Sequence, residues 1–452
     1  MRRVPADATR RDWRLTERAG TVSGMSLDDP SLVADVAIVG AGAAGLAAAI
    51  FTARRCPGRT ILALDGAKKP GAKILVSGGG RCNVTNVAVT PADFCGGSHH
   101  VIRRVLAAFT AEQTIAFFRE LGVPMHVEEY GKLFPDTNRA RTVLDALMNE
   151  AHHLGVRILP GHRVTWIERR DSSFEIGVDV AEPSSDRRRT IKTRMVVLAT
   201  GGLSLPKTGS DGGGYGLACG LGHSLVPTTP ALAPLILDGD FHAALSGISH
   251  DVTLTVLVEG CKPVRVRGPL LWTHFGVSGP AALDASRHWH HARVEQRGVT
   301  VFASFLPDDD FASLEGKLLG LVSSKPKVFL RNAIAALLPA RLGEELLKRL
   351  GIDGSIPMAQ LTRETRRALA RALLEWPMPV RDSRGYGHAE ATAGGVSLGE
   401  IDPNRMASRK CPGLYLVGEI LDVDGRIGGF NFQWAWSSAW VAAAGIARGL
   451  EV

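Results

Sequence analysis

The 452-residue sequence predicts an α/β fold in which a parallel-sheet domain, assembled from both ends of the chain, carries a β-rich insertion and a small helical one. Three observations predict it. An apolar strand, a glycine turn and an Ala-rich helix follow one another over residues 35–55. Glycine is in excess, 51 of 452 residues against a typical share of about 7%, and it clusters near both ends of the chain. The middle loses this character and turns first to short β runs, then to Leu-rich segments spaced at about 3.6 residues. With 45% hydrophobic and 22% charged residues, wholesale disorder is excluded.

The elements follow in order. Residues 1–24 hold six Arg against Asp7, Asp12 and Glu17, without an apolar stretch, so 1–32 is expected to be a disordered leader and not a secretory signal. Met25 is an alternative start. Residues 36–53 lack charge for 18 positions, but three glycines among the first ten argue for strand, turn and buried helix rather than a membrane span. Residues 60–64 read as a second strand, 66–86 as glycine-rich and irregular, and 101–121 and 138–155 as helical. Strands are expected near 156–159 and 163–168. A hairpin is expected from 173–180 to 191–199, with a polar turn at 181–190. The parallel-sheet domain is expected to comprise 33–206 and 391–452. The β-rich insertion is 207–306 with 376–390, and the helical one is 307–375. An apolar helix closes the chain at 432–449. The six cysteines show no C-x-x-C and no disulfide framework, which suits a reducing, cytoplasmic setting.

Four motifs carry chemistry. Gly40, Gly42 and Gly45, with Ala43 and Ala44 between, form a G-x-G-x-x-G turn. Its first glycine permits the tight turn, its second admits a pyrophosphate, and its third lets helix and strand approach. Asp65 ends the second strand, 20 residues past Gly45, where an acceptor for a ribose hydroxyl belongs. The second motif runs from Lys73 through Ser77, Gly78, Gly79, Gly80, Arg81, Cys82 and Asn83 to Thr85 and Asn86. It reads as a backbone-lined cradle whose N–H groups and Arg suit a phosphate or the polar edge of a heterocycle. The third is Thr200-Gly201-Gly202 after an apolar strand. The fourth is Gly418-Glu419, then Asp424, then Gly428-Gly429-Phe430-Asn431-Phe432, which opens the last helix. A helix N-terminus there would stabilise the negative charge of a reduced flavin, which favours FAD over NAD as the resident dinucleotide.

These motifs, together with GKLFP (131–135), THFGVSGPA (273–281) and ATAGGV (391–396), closely resemble the BaiN/YhiN-type flavoprotein family, FAD-dependent oxidoreductases linked to NAD(P). The resemblance implies a glutathione-reductase-type FAD domain with two insertions. It implies FAD contacts at 40–45, Asp65, 77–86, Thr200–Gly202 and 418–433, with Glu419 in a ribitol role and Val164 offering backbone to adenine. It also implies a choice of reactions: reduction of unsaturated steroid-type substrates, amine oxidation by oxygen, or dihydrouridine formation in ribosomal RNA.

The main expectation is a flavin-dependent reduction of an activated C=C or related acceptor in a small molecule. NAD(P)H would bind transiently, since no second dinucleotide turn with the right spacing follows a strand; Gly212–Gly216 comes closest. His274 and Cys82 are the candidate proton donors, the latter because Arg81 beside it could lower its pKa. The His288/His290/His291 and His152/His153 groups lack metal-site spacing. The net charge of +8 permits an RNA partner, although three of the eight units lie in the leader and no RNA-binding motif appears.

Overall fold

The computed structural model describes residues 31–181 and 188–451. The expected leader and the Met25 start lie outside the described residues, save for positions 31 and 32, which open the first strand; most of the polar turn at 181–190 lies outside as well.

β1 (Ser31–Val39) is flanked in parallel by β2 (Ile61–Asp65) and by Arg188–Leu198. Arg157–Pro160 extends the sheet beyond β2, and Leu414–Leu416 extends it beyond Leu198, both in parallel. Short antiparallel strands at 401–402 and 407–408 finish that edge, and the hairpin His162–Arg170/Ser173–Val180 attaches to residues 188–193. Buried on both sides, the central strands are Val-, Ile- and Leu-rich, as a parallel sheet requires. α1 (Ala43–Arg55) is buried from Ala44 to Ala53 and lies along the closing helix Phe430–Leu450. The uncharged stretch 36–53 is therefore strand, turn and core helix. Among the described residues no helix is long and apolar enough to cross a membrane.

A second, antiparallel sheet of seven strands spans residues 235–383, with helix Pro280–Val294 against it. Helices Phe311–Ser324, Leu330–Ala335, Ala340–Arg349 and Arg363–Leu374 share its apolar core: Leu254 and Trp272 of the sheet join Leu314, Leu346 and Leu369 of the helices. Among the described residues there are thus two large cores rather than three.

Two local expectations differ. The run 101–121 is two helices, His99–Ala108 and Ala111–Glu120, because Thr110 and Gln113 form a capping box that starts the second. Within 66–86, Ala72–Gly80 is a helix (α2) that holds only to Val76; Ser77 is extended, and Gly78 and Gly79 are left-handed at φ 55° and 68°.

The two chain ends are locked together by Gln433, which is fully buried on the closing helix. Its Oε1 accepts from the hydroxyls of Thr85 (2.6 Å) and Thr114 (2.9 Å), and its Nε2 donates to Phe109 O and to Ser437 Oγ. Gln433→Leu keeps the volume but strands both threonine hydroxyls. We expect a loss of about 2–4 kcal/mol in urea unfolding, since each buried polar group left unpaired costs about 1–3 kcal/mol.

Candidate functional site

The turn between β1 and α1 is shaped by glycine. At Gly40 (φ 100°) a Cβ would lie 2.5 Å from Ala199 O, and at Gly45 it would lie 1.8 Å from Gly40 O. Strand, turn and helix therefore occupy space that any side chain would fill. Gly42 differs: its φ is −82°, and nothing lies within 4 Å of a Cβ built there. It faces an open cavity. Asp65 fixes this turn, accepting from Ala41 N–H and Ala67 N–H at 2.8 Å each.

The cavity measures about 930 Å³ and is lined by all four glycine-rich segments. Gly40, Gly42, Ala43, Ala44 and Asp65 form one wall. Lys73, Ser77, Gly78, Gly79, Arg81 and Asn83 form another. Thr200 and Gly201 contribute from the strand end 188–198, and Glu419, Gly428, Gly429, Asn431 and Phe432 from the closing segment. Val164 also lines it. The N-termini of α1 and of the closing helix both border the space, so their unpaired N–H groups offer partial positive charge to an anion. The Thr200 hydroxyl is buried at the wall with no hydrogen-bond partner.

Other predicted residues sit behind the walls. Gly45, Gly80, Gly202, Gly418 and Phe430 do not line the cavity. Thr85 is engaged by Gln433, and Asn86 donates to Tyr130 O and Gly428 O. Asp424, 1% exposed, is held by Arg287 at 2.8 Å. That arginine, from the helix of the second sheet, also donates to Asp424 O and Gly425 O. His274 is exposed in the turn between strands 264–273 and 276–278 and is not brought to the cavity. Cys82 departs most from expectation. It is fully buried at φ 63°, and burial pushes its thiol up to about 12 rather than down. Arg81 does not activate it: the guanidinium turns to Glu128 (2.6 Å) and lies 4.1 Å over the Phe134 ring.

Sequence reading missed a polar network at the cavity's inner edge. Lys73 Nζ lies 2.5 Å from Glu419 Oε2 and also donates to Ser204 Oγ. Glu419 Oε1 accepts from Ser204 Oγ (2.8 Å) and Thr392 N–H (2.9 Å), so both carboxylate oxygens are engaged by protein. Thr392 Oγ1 in turn accepts from the N–H groups of Leu203 and Ser204. Ser204 and Thr392 stand far apart in the chain, and although Thr392 lies within ATAGGV (391–396), nothing in the sequence joins it to Ser204 or Glu419. The only prior signal was the pairing of Lys73 and Glu419 with glycine-rich segments.

Three comparisons bear on this geometry. The model of the HI0933-like protein Rossmann domain family matches residues 34–445. The ribosomal RNA dihydrouridine synthase of Escherichia coli is 36% identical over 409 residues, 90% of this chain and 97% of that protein. The 3-dehydro-bile acid delta(4,6)-reductase of Clostridium scindens is 32% identical over 413 residues, 91% of this chain and 99% of that protein. Among solved structures, Mycobacterium smegmatis Sdh1 shares the fold with a TM-score of 0.50 at 15% identity, over 93% of this chain and 69% of that one. The glycine-lined cavity and the match along almost the whole chain agree: the protein belongs to the HI0933-like family, the FAD-binding Rossmann flavoproteins of YhiN/BaiN type, and is an FAD-dependent oxidoreductase.

Proposed function

We propose that the cavity holds FAD and that the protein uses it to reduce an activated carbon–carbon double bond, with NAD(P)H as the electron donor. The observation that carries this reading is the single cavity onto which four glycine-rich segments and two helix N-termini converge. The residues present fit the group. Gly42 and Gly79 leave space that a Cβ would fill, and the orphaned Thr200 hydroxyl awaits a polar partner. Gly40–Ala44 would hold the pyrophosphate, Asp65 the adenine ribose, and Val164 the adenine through its backbone. The 77–83 cradle and residues 428–432 would hold the flavin end. Bound flavin supplies two-electron hydride chemistry, and the protein supplies position, water exclusion and charge.

The reductive direction is supported by what the relatives' names share, the saturation of a C=C bond. NAD(P)H has no separate site in this reading. Gly213 and Gly214, near the closest second glycine run, line the same cavity as the first. The nicotinamide would thus visit the flavin transiently. Anaerobic titration of the purified holoprotein is expected to bleach the flavin with NADH or NADPH, and no bleaching by either removes the proposed donor. Photoreduced protein mixed with air is expected to reoxidise slowly; fast reoxidation with peroxide favours the amine-oxidase alternative.

A second reading concerns the acceptor. The two dihydrouridine-synthase relatives, each covering at least 90% of the chain, and the net positive charge favour a uridine in ribosomal RNA. Incubating deproteinised ribosomal RNA with the enzyme and NADPH is then expected to add about 2 Da at a uridine, by mass spectrometry of the digested RNA. An RNA left unchanged while a steroid enone is consumed assigns a small-molecule acceptor instead.

Gly42→Ala separates cofactor binding from folding. Its methyl group meets no protein atom and its φ suits alanine, so unfolding free energy is expected to stay within about 0.5 kcal/mol. FAD affinity is expected to fall on the order of tenfold or more, at least about 1.4 kcal/mol. Gly45→Ala, by contrast, is expected to prevent folding.

A further inference from the structure

Glu390 lies just before the strand Ala391–Val396 and lines the same cavity. Its backbone is fixed on both sides: its N–H donates to Leu232 O (3.1 Å), and its C=O accepts from Ser204 Oγ (3.4 Å). Its side chain is solvent-exposed where it borders the cavity, and its carboxyl makes no hydrogen bond and no ion pair among the described residues. Two lysines lie near it, but both are engaged elsewhere. Lys73 is taken up by Glu419 and Ser204, and Lys132 reaches over the Tyr130 ring. Asp284, from the helix of the second sheet, also acts on this carboxyl, and the cavity it opens to is lined as well by His388, Arg81, Lys207, Glu419 and Arg426. Desolvation, helped by Asp284 and opposed by Lys73 and Lys132, raises the Glu390 carboxyl above the usual carboxylate range.

From this geometry we propose that Glu390 is the acid that protonates the acceptor. The inference rests on the reductase reading above. Saturating a C=C conjugated to a carbonyl requires one hydride and one proton. The β carbon takes the hydride from the reduced flavin cofactor, and the π pair moves to the α carbon. The Glu390 O–H bond breaks as the α C–H bond forms, and water reprotonates the carboxylate. The acceptor gains two electrons and the cofactor loses two. Neither other candidate offers a proton here: His274 lies away from the cavity, and the Cys82 thiol is sealed behind its wall.

Two measurements test this. In the first, unfolding is followed from pH 4 to 8 in the flavin-free wild type and in Glu390→Gln. A carboxyl whose folded pKa is raised lowers stability as pH climbs from its ordinary value through the folded one, and the deficit then stays constant. Glu390→Gln is therefore expected to gain on wild type across that rise. A pH-independent difference means an ordinary solvated carboxylate and overturns the proposal. In the second, photoreduced holoprotein is mixed anaerobically with 2-cyclohexenone or with ferricyanide, which needs no proton. Glu390→Gln is expected to slow reoxidation by the alkene on the order of 100-fold, with partial recovery in Glu390→Asp, and to leave the ferricyanide rate unchanged. Equal slowing with both oxidants assigns Glu390 a packing role and overturns the proposal. Wild-type protein inert to the alkene removes the reductase reading and the donor role with it. The stability profile still reports separately whether the carboxyl is held protonated.

Discussion

The structure depends on one constraint: the last helix must close back onto residues 85–114 of the N-terminal part without leaving buried polar groups unpaired. Gln433 meets it. An amide has two acceptor sites and two N–H donors, and here all four are used, two of them on threonines more than 300 residues away in the chain. Glycine does the rest. A Cβ at Gly429 would fall 2.5 Å from Thr85 O, and one at Gly418 would fall 2.7 Å from the Ala44 side chain. The N- and C-terminal parts therefore meet backbone to backbone, and the cavity is the space left where they do not touch.

Much of this was legible because the fingerprint residues face their consequences locally. The strand–turn–helix at 35–55, the acid at 65 and the return of glycine after 390 announce a parallel sheet made from both ends. The segregation of character along the chain sets its middle apart, but does not reveal that the second sheet and the Leu-rich helices share one core. Leu-rich periodicity reports that a helix buries one face, and it carries no information about which neighbour covers that face. The same limit applies at 101–121, where Thr110 and Gln113 interrupt an otherwise continuous helical pattern through a capping box.

The site was less legible than the fold, for a reason seen in particular residues. The dense motif at 77–86 reads as a run of ligand contacts, but adjacent residues in an extended or kinked segment point to different sides. Ser77, Gly78, Gly79, Arg81 and Asn83 face the cavity, whereas Cys82, Thr85 and Asn86 face the protein. The cysteine illustrates the error. Sequence proximity to an arginine suggested activation, but pKa follows distance and burial in space, and Arg81 spends its charge on Glu128. Conversely, Ser204 and Glu390 lie outside the motifs named above, and Thr392 within ATAGGV signalled no polar role, because their importance comes from converging on Lys73 and Glu419.

The second sheet supports this cavity from behind. Helix Pro280–Val294 sends Arg287 to the backbone carbonyls of Asp424 and Gly425, and Asp284 accepts from Ile427 N–H at 2.7 Å. The insertion thus holds the very loop that leads into the closing helix's N-terminus. Because Arg287 is buried and its partner Asp424 is equally so, neither can be lost singly without leaving an uncompensated charge. One helix carries both this clamp and Asp284, whose charge acts on Glu390, so the placement of that helix bears on the loop and on the charge of the cavity. In this arrangement the second sheet and its helix stand behind the site rather than lining it, and they act on the cavity through the 424–427 loop that they hold.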